Sequence, residues 1–452
     1  MMGYEPVDLS THPAFTPNIL SSRGLLVVPS QGERGTSIIT GVEGEMLYEH
    51  RQEGEAISAS RSVFVSRSRL PPAEDRYRSK LFGRARPTWI VSRCPTGEPL
   101  DSSILNNEST VAALTATADS LPGLSLYGFN QTAEMGLLAQ RLRMPYYGNP
   151  SFAKRFGGKI GLVELLKEAN LPSLATFELR NPQADLTKCV ESLKDLGYEK
   201  FVVKVDRSTG GMGHLVSSIG EALANRAAVE RFVPREFTPA EGGIVQGWID
   251  STDSVSLATF VDFDGRVYLT GAQVHLLGAE SIHAAIGARP IERKYIAPML
   301  KIAEALQQAY QRHSAWGPHT MGMVFPEPTA CQALGLTEGV PLCIDENSRP
   351  GASTISKAWI LNVRGGRYGI GWSVSRVAVP AGTWIADVIN TLDERRLLIN
   401  EIGPEAHGVF VFNGSALDFG YGSAFHAIAI SRADDPTESM EMMNVVRRIF
   451  SR

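Results

Sequence analysis

The segment FVVKVDRSTGGMGHLV ends one apolar run in a lysine and reaches a second apolar run through three glycines. Gly210, Gly211 and Gly213, with Met212 among them, let the backbone take positive φ and bring its amides close to phosphate oxygens, while Lys204 adds a point charge. The combination suits a hairpin folded over a polyphosphate; an ordinary glycine-rich turn is the competing reading. A second cluster lies in VPLCIDENSRP. Alternation along a strand puts Asp345, Asn347 and Arg349 on one face together with Cys343, and Ile344, Glu346 and Ser348 on the other. Asp345 and Asn347 then offer two hard oxygen ligands of the kind magnesium shares with nucleotide phosphates. Arg349 is placed to meet charge developing on a transferring phosphoryl group or a tetrahedral intermediate. A strand end carrying solvated charges is the alternative.

Other chemistries have less support. The motif GxxxxGK[ST] is absent, and the glycines lead into a strand rather than a helix, unlike the common nucleotide loops. Cys94, Cys189, Cys331 and Cys343 are far apart with no CxxC or CxxH spacing, and the nine histidines form no HExxH pair, so a built-in zinc site is not expected. No GxSxG lies between a strand and a helix. A net charge of -4 leaves no global basic surface for nucleic acid. No run approaches the roughly 18 apolar residues of a membrane span, and the start MMGYEPVDLSTHP lacks the basic and apolar regions of a secretory signal. The expectation is a cytosolic protein without a nucleic-acid or membrane partner. The sequence is silent on oligomeric state, with a homodimer as one option.

The elements that must position these residues follow from periodicity. With 452 residues, 43% of them hydrophobic, the chain can build several cores. Residues 1–150 carry apolar runs at 24–30, 87–92 and 124–129 that read as buried strands, and a helix candidate at 132–143, which predicts an α/β domain with a partly parallel sheet. The charged, aperiodic stretch 43–86 reads as a surface excursion. Residues 151–360 give the helix IGLVELLKEAN stopped by Pro172, a helix over 186–197, the strand 200–206, the glycine tract and the strand GGIVQGWI. Two strands joined at Asp264-Gly265 follow, then the helix PMLKIAEALQQAYQRH and the strands TMGMVF and VPLCIDENSR. Residues 361–452 read as a separate, small α/β block with the strands WSVSRVAV, GVFVFN and FHAIAIS.

In order and spacing these signals resemble the ATP-grasp superfamily, in which two α+β lobes grip ATP. The resemblance covers residues from about 150 to 360. It implies that Lys159 in FGGKIGLVELLKEANLP is the first nucleotide-contacting lysine, and that Lys204 with the glycine tract is the second lysine and its phosphate loop. It implies that Gln246, Gly247, Trp248 and Ile249 form the hinge strand holding the adenine, and that Asp345, Asn347 and Arg349 stand for the ExNxR pattern. Two departures stand out: Gln246 occupies a position that is commonly acidic, and Val324 in TMGMVF occupies the place read here as that of a second metal-binding acid. The sequence further resembles the pheganomycin-type peptide ligases through the TMG strand, Gln273 in TGAQVHLLG, ENSRPGAST and HGVFVFN. That likeness extends over most of the chain and implies a pre-ATP-grasp domain at 1–150.

The resemblance implies an ADP-forming ligase that uses ATP and Mg2+ to join an acid, through its acyl phosphate, to the amino group of a peptide in natural-product biosynthesis. A ligase of two free amino acids, or a nucleotide-binding scaffold with impaired catalysis, is the alternative. Arg289 and Arg293 in GARPIERKY are candidates for holding the substrate carboxylate, or are surface charges. Gln273 and His275, two residues apart on one strand face, are candidates for lining the site, with a core role open for His275. Ser353 and Thr354 either touch substrate or cap the next helix.

Overall fold

The computed structural model describes residues 5–30, 49–92, 98–207, 213–277, 286–420 and 422–451. Its strands form three sheets. The first is parallel throughout, in the order β3-β2-β1-β4-β5, from β1 (Gly24–Val28), β2 (Arg61–Ser66), β3 (Thr88–Val91), β4 (Leu124–Gly128) and β5 (Tyr146–Tyr147). Its apolar runs are buried on both faces, as parallel strands covered by helices require. The strand β2 falls inside the stretch read above as a surface excursion, which is a correction. The charges there are buried because they neutralise one another: Arg78 is fully enclosed and pairs with Glu53 and Glu74, and Arg86 reaches Glu53 at 2.9 Å. Polarity signals exposure only while charges lack partners.

The second sheet is small and antiparallel, ordered β6-β9-β7-β8 from β6 (Thr176–Leu179), β7 (Lys200–Val205), β8 (His214–Ser218) and β9 (Gly243–Trp248). The helix Pro182–Asp195 packs Leu186, Val190 and Leu193 onto Phe201, Val203 and Val245, giving this lobe its own core.

The third sheet has eight strands, ordered β14-β13-β10-β11-β12-β15-β17-β16. Its members are β10 (Ser251–Val261), β11 (Val267–Leu277), β12 (Ile286–Pro290), β13 (Gly317–Pro326), β14 (Leu342–Asn347), β15 (Trp372–Ala378), β16 (Gly408–Asn413) and β17 (Ala424–Ile430). The turn between β10 and β11 uses Gly265 at φ +80, as the Asp264-Gly265 pair predicts. The helix Arg293–Arg312 lays Met299, Ile302, Leu306 and Tyr310 on this sheet's core and begins five residues before the predicted start, running through Pro298. The last ninety residues, read above as a separate block, instead continue the sheet, because β15 pairs with β12 and carries β17 and β16 outward. Only Ile249 and Asp250 separate β9 of the small sheet from β10 of the large one.

Candidate active site

Lys159 opens the helix Lys159–Glu168, whose Leu162, Leu165 and Leu166 turn one face into the core. Its entry is fixed by Asp206, which follows β7: Asp206 accepts from the Ile160 amide at 2.8 Å, and its carbonyl accepts from the Lys159 amide at 3.0 Å. A side chain at Gly161 would stand 1.9 Å from the Arg155 carbonyl oxygen, so this turn closes only around glycine. The result is a lysine with 4% of its surface exposed, ion-paired with Asp345 on β14.

Lys204 arrives from the small sheet, also buried, and donates to Gln246 Oε1 at 2.8 Å; Gln246 in turn donates to Thr176 at 2.9 Å. Burial, and then the nearby Lys159 ammonium, lowers the Lys204 pKa from 10.5 to about 8 against the opposing pull of Asp345. Burial alone would raise the Asp345 pKa, but Lys159, Lys204 and the Asn347 amide hold the carboxyl below its ordinary range. Two cations therefore face one carboxylate whose side chain is still 36% exposed. A polyanion entering here would meet both positive charges against a single carboxylate.

Asn347 donates to the Asp345 carboxylate at 3.0 Å, so the two lie on one face of β14 as alternation requires. Cys343 does not join them. A bulge at Ile344 shifts the register, so that Cys343 pairs with Met323 and enters the core while Asp345 pairs with Gly322. The same register sets which residue faces Asp345. Val324 pairs with Leu342 and packs on the small lobe's core, whereas the residue across from Asp345 is Gly322. Arg349 lies 5.0 Å over the Phe129 ring, which ties the end of the motif to the parallel domain.

Gly213 is at φ +69 and its carbonyl accepts from the Val205 amide, closing the β7–β8 hairpin in a backbone region that favours glycine. Gly210, Gly211 and Met212 lie outside the described residues, as does the side chain of Ser353. Thr354 lies inside the helix Ala352–Val363, with Oγ1 3.2 Å from that of Thr320. At the end of β9, Gly247 leaves room for Tyr198 and Trp248 is 40% exposed, and Ile249 just beyond packs toward the small lobe's core.

Gln273 and His275 lie on the face of the large sheet that also carries Gly322 and Asp345. Arg289 does not. It pairs with Val274, one residue out of phase, and spends its guanidinium on Asp253 at 3.0 Å and Glu292 at 2.9 Å on the opposite face. Arg293 is 69% exposed and bound to Glu5. Neither arginine is brought to the lysines. Asp206, Thr176, Ser256 and Tyr368 hold site residues in place and were not anticipated. Asp206 carried a usable signal, being two residues beyond Lys204 on a strand; Gly322 carried another, a glycine inside a strand marking close approach.

Asp345 and Asn347 suit a hard cation shared with phosphate oxygens, since they occupy only part of its coordination shell. Among the described residues no set of three or more His, Cys, Asp or Glu is gathered as a metal site. Asp345 and Asn347 offer a carboxylate and an amide oxygen, the hard donors that magnesium accepts.

This architecture of a parallel domain, a small antiparallel lobe and a large antiparallel sheet is the fold of solved ATP-grasp ligases. N5-carboxyaminoimidazole synthase from Aspergillus clavatus, solved with ADP and 5-aminoimidazole ribonucleotide, superposes with a TM-score of 0.53 at 12% identity, over 95% of this chain and 100% of that one. L-amino acid ligase from Bacillus licheniformis gives 0.51 at 13% identity over 95% and 98%. In sequence, L-propargylglycine--L-glutamate ligase of Streptantibioticus cattleyicolor is 24% identical over 211 residues, 43% of each chain, so the match spans less than half of that protein. No protein-family model matches the chain. Within the fold, structures carry ADP, in one case as its magnesium salt. No helix among the described residues is long and apolar enough to cross a membrane.

Proposed function

We propose that the protein is an ATP- and magnesium-dependent, ADP-forming ligase that activates a carboxylic acid as its acyl phosphate and couples it to the amino group of an amino acid or short peptide. The observation that carries this reading is the meeting of Lys159 and Lys204, both buried and from different lobes, at Asp345. A carboxylate is a poor electrophile, and transfer of a γ-phosphoryl group makes it a good one. Lys159 and Lys204 neutralise the polyphosphate and align it, with Gly213 at the hairpin mouth. Asp345 and Asn347 would hold magnesium, which when bound would offset the charge that builds on the transferring group. Arg349 is the candidate for steadying the oxyanion when the amine attacks. Gln246, Gly247 and Trp248 at the end of β9, with Ile249 next, form the adenine side, and the link through Ile249 and Asp250 is where one lobe pivots on the other.

The relatives named above include ligases of amino acids, which favours an amino acid acceptor over the peptide expected from sequence. ADP release is measured with Mg-ATP and each of the common L-amino acids as acid, paired with amino acids and dipeptides as amines. Release that requires both partners, with the amide found by mass spectrometry, supports the proposal and names the acceptor class. Tight nucleotide binding with no stimulating pair would sink the ligase reading and favour a nucleotide-binding scaffold.

A further inference from the structure

One cross-strand row of the large sheet runs from Asp345 through Gly322 and Ser256 to Gln273. At about 4.8 Å per strand, Gln273 stands about 14 Å from Asp345 and about 10 Å from Gly322. Gly322 puts no side chain between the carboxylate and the rest of the row. At the far end the polar groups are chained. The Tyr368 hydroxyl donates to Gln273 Oε1, so the Gln273 amide nitrogen faces His275 Nε2 at 3.0 Å, and Ser256 Oγ lies 3.2 Å from the same nitrogen. Gln273 and Tyr368 are buried, and the Tyr368 ring lies over Gly271, the next position on this face. His275 is the half-buried member of the chain.

An imidazole nitrogen that receives an amide N–H carries a lone pair, and a neutral ring then has its proton on the other nitrogen. We propose that His275, fixed in this tautomer by Gln273 and Tyr368, presents Nδ1–H as a neutral donor to a carbonyl or carboxylate oxygen of one substrate, three strands across the sheet from Asp345 at the phosphoryl-transfer end. Among the described residues no group hydrogen-bonds Nδ1. Burial lowers the His275 pKa to about 4, so the ring stays neutral at working pH. His275 touches substrate; Gln273 and Tyr368 are positioning residues. The assignment rests on the ligase reading for its substrate, but not for its tautomer.

The tautomer is therefore tested first, on the full-length protein without substrate. Histidine is labelled with 15N, and the His275 signals are assigned by their loss in His275→Asn. A protonated Nδ1 and an unprotonated, hydrogen-bonded Nε2 are expected; a protonated Nε2 overturns the proposal. On the acid and amine pair found by ADP release, His275→Ala should raise the KM of one substrate about tenfold, as loss of one such bond implies, with ADP affinity unchanged. His275→Asn, whose amide stands near Nδ1, should restore most of it, and His275→Gln should not. Whether the acid or the amine is affected identifies the owner of the oxygen. Unchanged KM for both substrates in His275→Ala overturns the assignment. Tyr368→Phe should shift the His275 resonances and raise the same KM; resonances that do not move refute the positioning chain. Should no pair turn over, the ligase reading fails while the NMR result still decides the tautomer.

Discussion

Replacing Lys204 by methionine should damage nucleotide binding and leave the empty protein no less stable, with a dependence on pH that no simple packing change reproduces. Burial and the Lys159 charge move the Lys204 pKa from 10.5 to about 8, which corresponds to about 3 kcal/mol against the folded state while the ammonium is charged. Below pH 8 the lysine is charged whether folded or unfolded, so that penalty is fully present at pH 7. Between pH 8 and 10.5 the folded protein sheds the proton and the unfolded chain keeps it, so wild-type stability recovers as pH rises. Methionine removes the penalty but strands Gln246 Oε1, now 2.8 Å from Nζ, at a cost of about 1–3 kcal/mol. The variant should thus be between about 0 and 2 kcal/mol more stable at pH 7, and this advantage should shrink by about 2 kcal/mol by pH 9.5. Urea unfolding of the nucleotide-free proteins, followed by tryptophan fluorescence and circular dichroism, reads the difference directly. A gap between wild type and variant that stays constant with pH would refute the reasoning that Lys204 is a strained cation awaiting an anion. The same variant should bind ADP roughly 10- to 100-fold more weakly by calorimetry, the loss of a charge-assisted bond.

Gly322→Asp places a carboxylate across from Asp345, with its Cβ 3.2 Å from that of Asp345; it should create Mn2+ binding without nucleotide, visible by electron paramagnetic resonance, where the wild type shows little. Asn347→Ala should lower kcat/KM at least about 100-fold, as loss of a cation ligand predicts, while the melting temperature moves by no more than a few degrees. Gly161→Ala should cost about 3 kcal/mol or more from the 1.9 Å approach to the Arg155 carbonyl, seen as lost soluble yield or a sharply lowered melting temperature. Arg289→Ala should destabilise by about 1–2 kcal/mol, since Asp253 and Glu292 lose one partner each and keep Tyr295 and Lys294, yet change kcat/KM less than threefold; a hundredfold loss with folding intact would return Arg289 to the site.

The small lobe was the most legible part of the chain. The sequence readings of strands at 200–206 and over GGIVQGWI agree with β7 and β9, and β7 pairs with β8 across the glycine tract, whereas β6 was not read. The strand β2 was not legible, because Arg78, Glu53 and Glu74 look like surface until their mutual pairing is known. The strand VPLCIDENSRP was legible in composition but not in phase. Alternation predicted Asp345, Asn347 and Arg349 on one face, and Asp345 and Asn347 do bond there. The bulge at Ile344 that sends Cys343 to the core instead depends on pairing with β13, which lies 18 or more residues back.

What the sequence determined by itself was the kind of chemistry, since residue type and order along single strands fix which groups can meet a phosphate or a hard cation. It also marked the hairpin turns, because the positive φ at Gly213 and Gly265 favours glycine. Only the tertiary structure decided which groups stand opposite one another: Lys159 with Asp345, Lys204 with Gln246, Gly322 rather than Val324 across from Asp345, and Arg289 on the far side of the sheet. Those outcomes follow from register between strands distant in the chain, and a shift of one residue exchanges the two faces.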